Sequence, residues 1–138
     1  MIDYQKLIHF FDEYTCFYES MVSEENNKLK ILLSNDLKSI EENILVQQVN
    51  AKRMENMENR RIALFDSMQL GQYSFRQIIE KIEEDKTVLQ GYYTRIDHAI
   101  QQIKYMNQKS MELIRLNLKT VETKKTNTDY GYDMKGAR

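Results

Sequence analysis

Apolar residues recur at steps of three and four along most of the chain, which is the spacing of one face of an α-helix. This pattern predicts three long helices, over about residues 3–33, 36–70 and 85–123, and one short helix over about 74–82. A break in the first helix near Asn26 is the lesser possibility. The expected fold class is all-α: an elongated antiparallel helical bundle or coiled coil of three long helices and one short helix, followed by a flexible C-terminal tail.

The residues between the predicted helices are of the types that end and begin helices. Asn35 tolerates the left-handed position after a helix and Asp36 is a strong N-cap, so the first two helices are predicted to be antiparallel neighbours. Gly71 suits the C′ position after the second helix. Ser74 and Gln77 have the spacing of a capping box at the start of the short helix.

The last long helix has an apolar face that is wider than a simple coiled-coil seam. Met106 and Met111 on this helix allow two interpretations, because methionine fills gaps in cores and also adapts to varied partners. Asn107 lies on or next to the same face. It either sets the register of a bundle or belongs to a partly buried face that receives groups of a partner.

The character of the chain changes at Lys124, and we predict a bundle domain over residues 1–123 and a flexible tail over 124–138. Six polar residues, Lys124–Asp129, cannot compensate the entropy cost of ordering. Tyr130 and Tyr132 then follow. They are either part of an unstructured terminus or a short recognition element, and tyrosine is a favoured contact residue.

The composition argues against binding of nucleic acid, membrane insertion, a metal site and catalysis. The net charge is −1 with interspersed signs, so neither nucleic acid nor stable membrane insertion is expected, and no apolar run approaches a membrane span. Cys16, expected to be a partly buried thiol, is the only cysteine and fits a reducing cytoplasm. His9 and His98 are too few for a zinc site. No catalytic residue, cofactor or metal is predicted, and the chain is not expected to be an enzyme.

Several features together resemble the flagellar export chaperones of the FlgN type. The helix junction Leu32–Leu37, the segment Arg60–Leu64 ahead of a glycine-containing turn, and the long helix that carries Asn107 are similar to that family in their order. The end of the chain, Tyr132–Gly136, resembles the family's terminal Tyr-x-x-x-Gly element. A second tyrosine, Tyr130, departs from that pattern.

The resemblance implies a cytoplasmic chaperone that binds the C-terminal segments of the hook-associated proteins FlgK and FlgL and delivers them to the flagellar type III export gate. It also implies that substrate is bound by the last helix, at Met106, Asn107, Met111, Ile114, Leu118 and Val121, with Tyr132 and Gly136 in the tail. Tyr130 is added to the residues expected for tail recognition because tyrosine is a favoured contact residue. A homodimer is possible. Two alternatives stay open: a structural coiled-coil homo-oligomer, and a chaperone or adaptor of another secretion system.

Overall fold

A computed structural model describes the backbone of residues 2–133 and the side chains of residues 2–117. It contains four helices: α1 (Tyr4–Ser34), α2 (Leu37–Ser67), α3 (Phe75–Lys81) and α4 (Thr87–Asp133). The all-α bundle of three long helices and one short helix is therefore confirmed. Within the described residues, no helix is both long enough and apolar enough to cross a bilayer.

The turn between α1 and α2 forms as its residue types predict. Asn35 adopts a left-handed conformation, with φ 56°, and its N–H bonds to the carbonyl of Leu32. Asp36 is the N-cap of α2, although its carboxylate accepts a bond from Ser39 Oγ rather than from a backbone N–H. Helix α1 runs without a break, so the lesser possibility of an interruption near Asn26 is wrong.

The end of α2 differs from its prediction. The left-handed residue is Gln69, with φ 59°, rather than Gly71. The N–H of Leu70 bonds to the carbonyl of Phe65 at 2.7 Å, and the N–H of Gln69 bonds to that of Asp66 at 3.0 Å, which is the Schellman arrangement. Because Phe65 and Leu70 are both buried, their packing stabilises this turn and offsets the cost of a left-handed glutamine.

The capping box of α3 is confirmed: Ser74 Oγ accepts from the Gln77 N–H, and Gln77 Oε1 accepts from the Ser74 N–H. Helix α4 continues to Asp133, ten residues beyond the predicted end at 123. No proline or glycine interrupts the chain between Gly91 and Gly131, so the lack of apolar residues after Lys124 does not by itself end the helix. The flexibility of 124–138 stays a prediction.

The long helices run up, down and up. Helices α1 and α4 are parallel, since Tyr4 Oη donates to the carbonyl of Asp85 at one end and Lys28 Nζ donates to Asn107 Oδ1, at 3.2 Å, near the other. Helix α2 runs antiparallel to both. We call the end with α3 the closed end and the end with the Asn35 turn the open end.

The core lies at the closed end. It is formed by the first half of α1, the last residues of α2, α3 and the first half of α4. Seven aromatic rings pack together there, with Phe11 and Phe75 5.1 Å apart between centroids. Ile78, Ile79 and Ile82 close this end from α3. The open end is much less filled, and its apolar side chains are correspondingly more exposed.

Candidate functional site

An open cleft, which we call the trough, separates α2 from α4 in the half of the bundle nearer the open end. In the described chain no Cα of α2 comes within 8 Å of a Cα of α4, and α1 forms the floor between them. The main part of the trough has a volume of about 500 Å³, and an extension of about 190 Å³ continues toward the core. Its lining includes Met21, Lys28, Ile31 and Leu32 of α1, Ile40, Ile44, Gln47, Ala51 and Met54 of α2, and Ile103 and Ile114 of α4.

The trough exists because the apolar face of α2 is not the face that packs on α1. The buried side chains of α2 are Asn43, Asn50 and Phe65, so two of the three are polar. Ile44 and Ala51 each follow a buried asparagine by one residue and therefore point about 100° away from it. The aliphatic stripe of α2 thus faces the cleft rather than the helix behind it.

The buried asparagines of α2 make hydrogen bonds where aliphatic packing on α1 is absent. Asn50 Nδ2 donates to Glu24 Oε2, and Asn50 Oδ1 accepts from Arg53 Nη1, each at 3.3 Å. Asn43 Oδ1 accepts from Gln47 Nε2 at 3.4 Å. Buried amides need such partners. Only the bond from Asn50 to Glu24 crosses the seam; the other two lie within α2 and satisfy the buried amides there. The apolar side chains beside the seam stay available.

A stronger polar cluster fixes the middle of the same seam. Glu58 Oε2 accepts hydrogen bonds from Tyr14 Oη at 2.6 Å and Tyr18 Oη at 2.8 Å, and Glu58 Oε1 pairs with Arg61 Nε at 2.8 Å. Burial raises the pKa of Glu58, but these three hydrogen bonds outweigh burial and leave that pKa below its usual value. Burial raises the pKa of Tyr18 to about 12 and raises the pKa of Tyr14 as well.

The structure places three of the predicted substrate-binding residues on the trough side of α4. Ile114 lines the trough and is 44% exposed. Asn107 accepts the hydrogen bond from Lys28, a residue of the trough floor. Met111 is exposed and follows the buried Ser110, so it lies about 100° from the α1-facing side, at the edge of the trough.

Met106 lies on the other side of α4. It lines a separate groove between α1 and α4, with a volume of about 630 Å³, together with Val22, Leu29 and Tyr105. The predicted set is therefore divided between two surfaces. Periodicity alone grouped Met106 with Ile114, because both lie within about 40° of the centre of the broad apolar face.

The remaining predicted residues have no described side chains. Leu118, Val121, Tyr130 and Tyr132 belong to the backbone of α4, but their side chains lie outside the described residues, as does Gly136 altogether. Their roles in substrate binding and tail recognition stay predictions.

Sequence reasoning missed the residues that α1 and α2 contribute to the trough. The family resemblance predicted binding residues on the last helix only. Most of the aliphatic surface opposite Ile114 is formed by Ile31, Leu32, Ile40 and Ile44. One signal was present in the sequence. Two asparagines seven residues apart, Asn43 and Asn50, fall on one face of α2, next to an aliphatic stripe that they do not share.

The described side chains offer little other chemistry. Among them, no group of three or more His, Cys, Asp and Glu residues is arranged to hold a metal ion. His9 Nε2 lies 2.8 Å from Glu13 Oε1 on the surface of α1. Cys16 is exposed rather than partly buried as expected, because its position falls on the outer face of α1.

Comparison with known proteins identifies the family. The model of the FlgN protein family matches residues 1–124, which include α1, α2, α3 and α4 as far as residue 124. No curated protein and no solved structure matches the chain at a significant level. The match covers most of the sequence and the whole of the trough. The chain therefore belongs to the FlgN family of flagellar export chaperones.

Proposed function

We propose that this protein is a cytoplasmic chaperone for the hook-associated proteins FlgK and FlgL. It binds their C-terminal segments, prevents premature assembly and delivers them to the flagellar type III export gate. Family membership supplies the general role of a flagellar export chaperone. The trough supports the finer part of the proposal, because it offers a surface that suits a bound helix.

The observation that carries the proposal is an aliphatic cleft that the described part of the chain leaves open. Ile44 is 53% exposed and Ile114 is 44% exposed, on opposite walls of a cleft whose floor contains Ile31 and Leu32 beside Lys28. Contiguous apolar surface of this kind marks interaction sites in soluble proteins. An amphipathic helix that lays its apolar face into the trough would remove this surface from water, at a gain of about 25 cal/mol per Å².

The proposed contact is of moderate strength. Ordering a cargo segment that is disordered before binding costs several kcal/mol, on the order of 2–5. The asparagines and glutamines along the α2 side of the trough limit its apolar area further. A carrier that must release its cargo is served by such moderate affinity. We include Met111, Leu118 and Val121 as further contacts along α4, Met106 from the neighbouring groove, and Tyr130, Tyr132 and Gly136 as contacts of the tail.

The proposal is tested by placing a charge in the trough. We expect Ile44→Glu and Ile114→Glu each to weaken binding of the C-terminal segment of a FlgK-type protein by roughly thirtyfold, because a carboxylate would be buried against the cargo. Isothermal titration calorimetry with the full-length chain measures this change.

Ile62→Glu is the matched control. Ile62 lies on α2 eighteen residues after Ile44, so it has the same rotational position five turns away, and its exposure is 48%. It does not line the trough. Affinity unchanged by Ile44→Glu and Ile114→Glu, relative to Ile62→Glu, would contradict the proposed site. If the chain instead self-associates through the trough and binds no hook-associated segment, the homo-oligomer alternative is favoured; light scattering after size exclusion distinguishes the two.

A further inference from the structure

The two rims of the trough carry charges of opposite sign. The α4 rim has Lys104 and Arg115, and neither forms an ion pair with a described residue. The α2 rim has Glu41 and Glu55. Glu41 is likewise without an ion pair among the described residues. Glu55 lies 3.6 Å from Lys52, which stands about 80° around α2 from Ile44 and offsets its charge, so Glu41 leaves this rim net negative.

Helix geometry places these residues beside the trough. On α4, Lys104 and Arg115 lie about 80–100° around the helix from Ile114, on the side away from the α1-facing Ser110. On α2, Glu55 lies about 20° and Glu41 about 60° beyond Ile44 in the direction away from α1. Each charge therefore flanks the aliphatic lining without belonging to it.

We propose that the trough selects a helix with an acidic flank beside α4 and a basic flank beside α2, and so accepts its cargo in one direction only. This inference rests on the proposed function. A helix that must keep its apolar face against the floor exchanges its two flanks when it is turned end for end. Rims of opposite sign therefore favour one of the two directions and disfavour the other.

The rim charges act on selection more than on total affinity. All four are exposed, and exposed charges at the edge of an interface mainly change the association rate and the salt dependence. Their effect decreases as the Debye length shortens, from about 10 Å at 0.1 M salt to 3 Å at 1 M. The aliphatic floor provides the part of the binding that salt does not weaken.

The test uses the full-length chain and the C-terminal segment of a FlgK-type protein as the probe. We expect the double variant Lys104→Glu/Arg115→Glu to weaken binding about tenfold at low salt, and the loss to shrink at high salt. Glu41→Lys has a smaller effect of the same kind. Two controls match these changes: Glu42→Lys, about 100° around α2 from Glu41, and Lys30→Glu, on the face of α1 turned away from the trough. Both are expected to stay within about twofold of the unaltered chain.

Direction is read by a photo-crosslinker at the N-terminus of the probe. In the unaltered chain, crosslinks are expected at one end of the trough, either near Leu32 and Ile40 or near Met21 and Met54. Reversing all four rim charges is expected to move them to the other end. Equal crosslinking at both ends, or charge reversals with no more effect than their controls, would overturn the inference. If Ile44→Glu still weakens binding relative to Ile62→Glu in that case, the proposed cargo site stands; if it does not, both are overturned.

Discussion

Glu58 is the residue whose environment is most specific to the folded state. Its carboxylate receives two tyrosine hydroxyls from α1 and the Arg61 guanidinium from its own helix. Hydrogen bonds to a charged group are worth more than neutral ones, about 1.5–3 kcal/mol. If the carboxylate were lost, the two buried hydroxyls would keep only their long contact with each other, at 3.5 Å. Glu58 therefore links the antiparallel pair at the point where aromatic packing ends and the asparagine seam begins.

We predict that Glu58→Gln lowers the free energy of unfolding by about 2 kcal/mol at pH 7, because a neutral amide cannot accept both hydroxyls as well as the carboxylate does. Urea unfolding followed by circular dichroism measures this. Glu55→Gln is the control, because Glu55 has only an exposed pair with Lys52, and a change within about 0.5 kcal/mol is expected. Equal losses for the two variants would contradict the role assigned to Glu58.

The cluster around Glu58 makes the free energy of unfolding depend on pH at both acid and alkaline pH. The pKa of Glu58 is lower in the folded protein, so its contribution is present above the unfolded value of about 4.3 and is lost as pH falls through the folded value. The pKa of Tyr18 is raised to about 12. Its contribution is present below about pH 10 and is lost as pH rises toward 12. Glu58→Gln should flatten the acid side of this profile.

Helix α4 contains a glycine at a position where the backbone conformation and the available space do not require one. Gly91 is an exposed interior residue of the helix, and a methyl group added there would meet nothing within 4 Å. We predict that Gly91→Ala raises the free energy of unfolding by about 0.5–1 kcal/mol, because alanine loses less backbone entropy on folding. Thermal melting checks this. Gly71→Ala should bring no such gain, since the added methyl would meet the carboxylate of Asp66.

Local chemistry allowed much of the fold to be predicted. The left-handed Asn35, the Asp36 cap position and the box of Ser74 and Gln77 depend on residues within a few positions of one another, so the sequence contains all that decides them. The end of α2 depends on tertiary packing, through the burial of Phe65 and Leu70. For that reason the turn falls at a glutamine although a glycine stands two residues later.

The candidate site was less accessible to prediction, because it depends on which helix each face meets. A stripe of apolar residues indicates that one face of a helix is buried. It does not indicate which neighbouring element buries that face. By periodicity alone, Ile44 could pack on α1. The two buried asparagines of α2 occupy the side that faces α1, so Ile44 faces the cleft instead. Similarly, Met106 and Ile114 share a broad stripe, yet α1 lies between the two grooves that they line.

On the scale of the whole molecule, packing decreases steadily from the closed end to the open end. Aromatic and isoleucine side chains fill the closed end, whereas α2 buries no aliphatic side chain between residues 37 and 64. Local opening of a structure is easiest where few apolar contacts would be lost. The trough thus lies in the part of the bundle that opens most readily, which suits a site that accommodates a cargo helix.

We predict a corresponding gradient of hydrogen exchange. Amides of residues 40–51 should exchange faster than those of residues 60–66 in the same helix, because only the latter pack on the aromatic core. Binding of a hook-associated C-terminal segment should slow exchange in 40–51 and leave 60–66 unchanged. Mass spectrometry of the exchanged protein measures both. Uniform exchange along α2 would show that the two halves open together, against the gradient inferred from burial.

The exposure of Cys16 has a practical consequence for following the cargo. It is the only thiol of the chain, so a maleimide dye attaches at one known position without any substitution. The dye would lie on the outer face of α1, twelve residues or about 18 Å along the helix from Lys28 on the trough floor. That separation is short enough for energy transfer to a second dye on a cargo segment and leaves the trough itself free, so loading and release of the proposed cargo would be visible in real time.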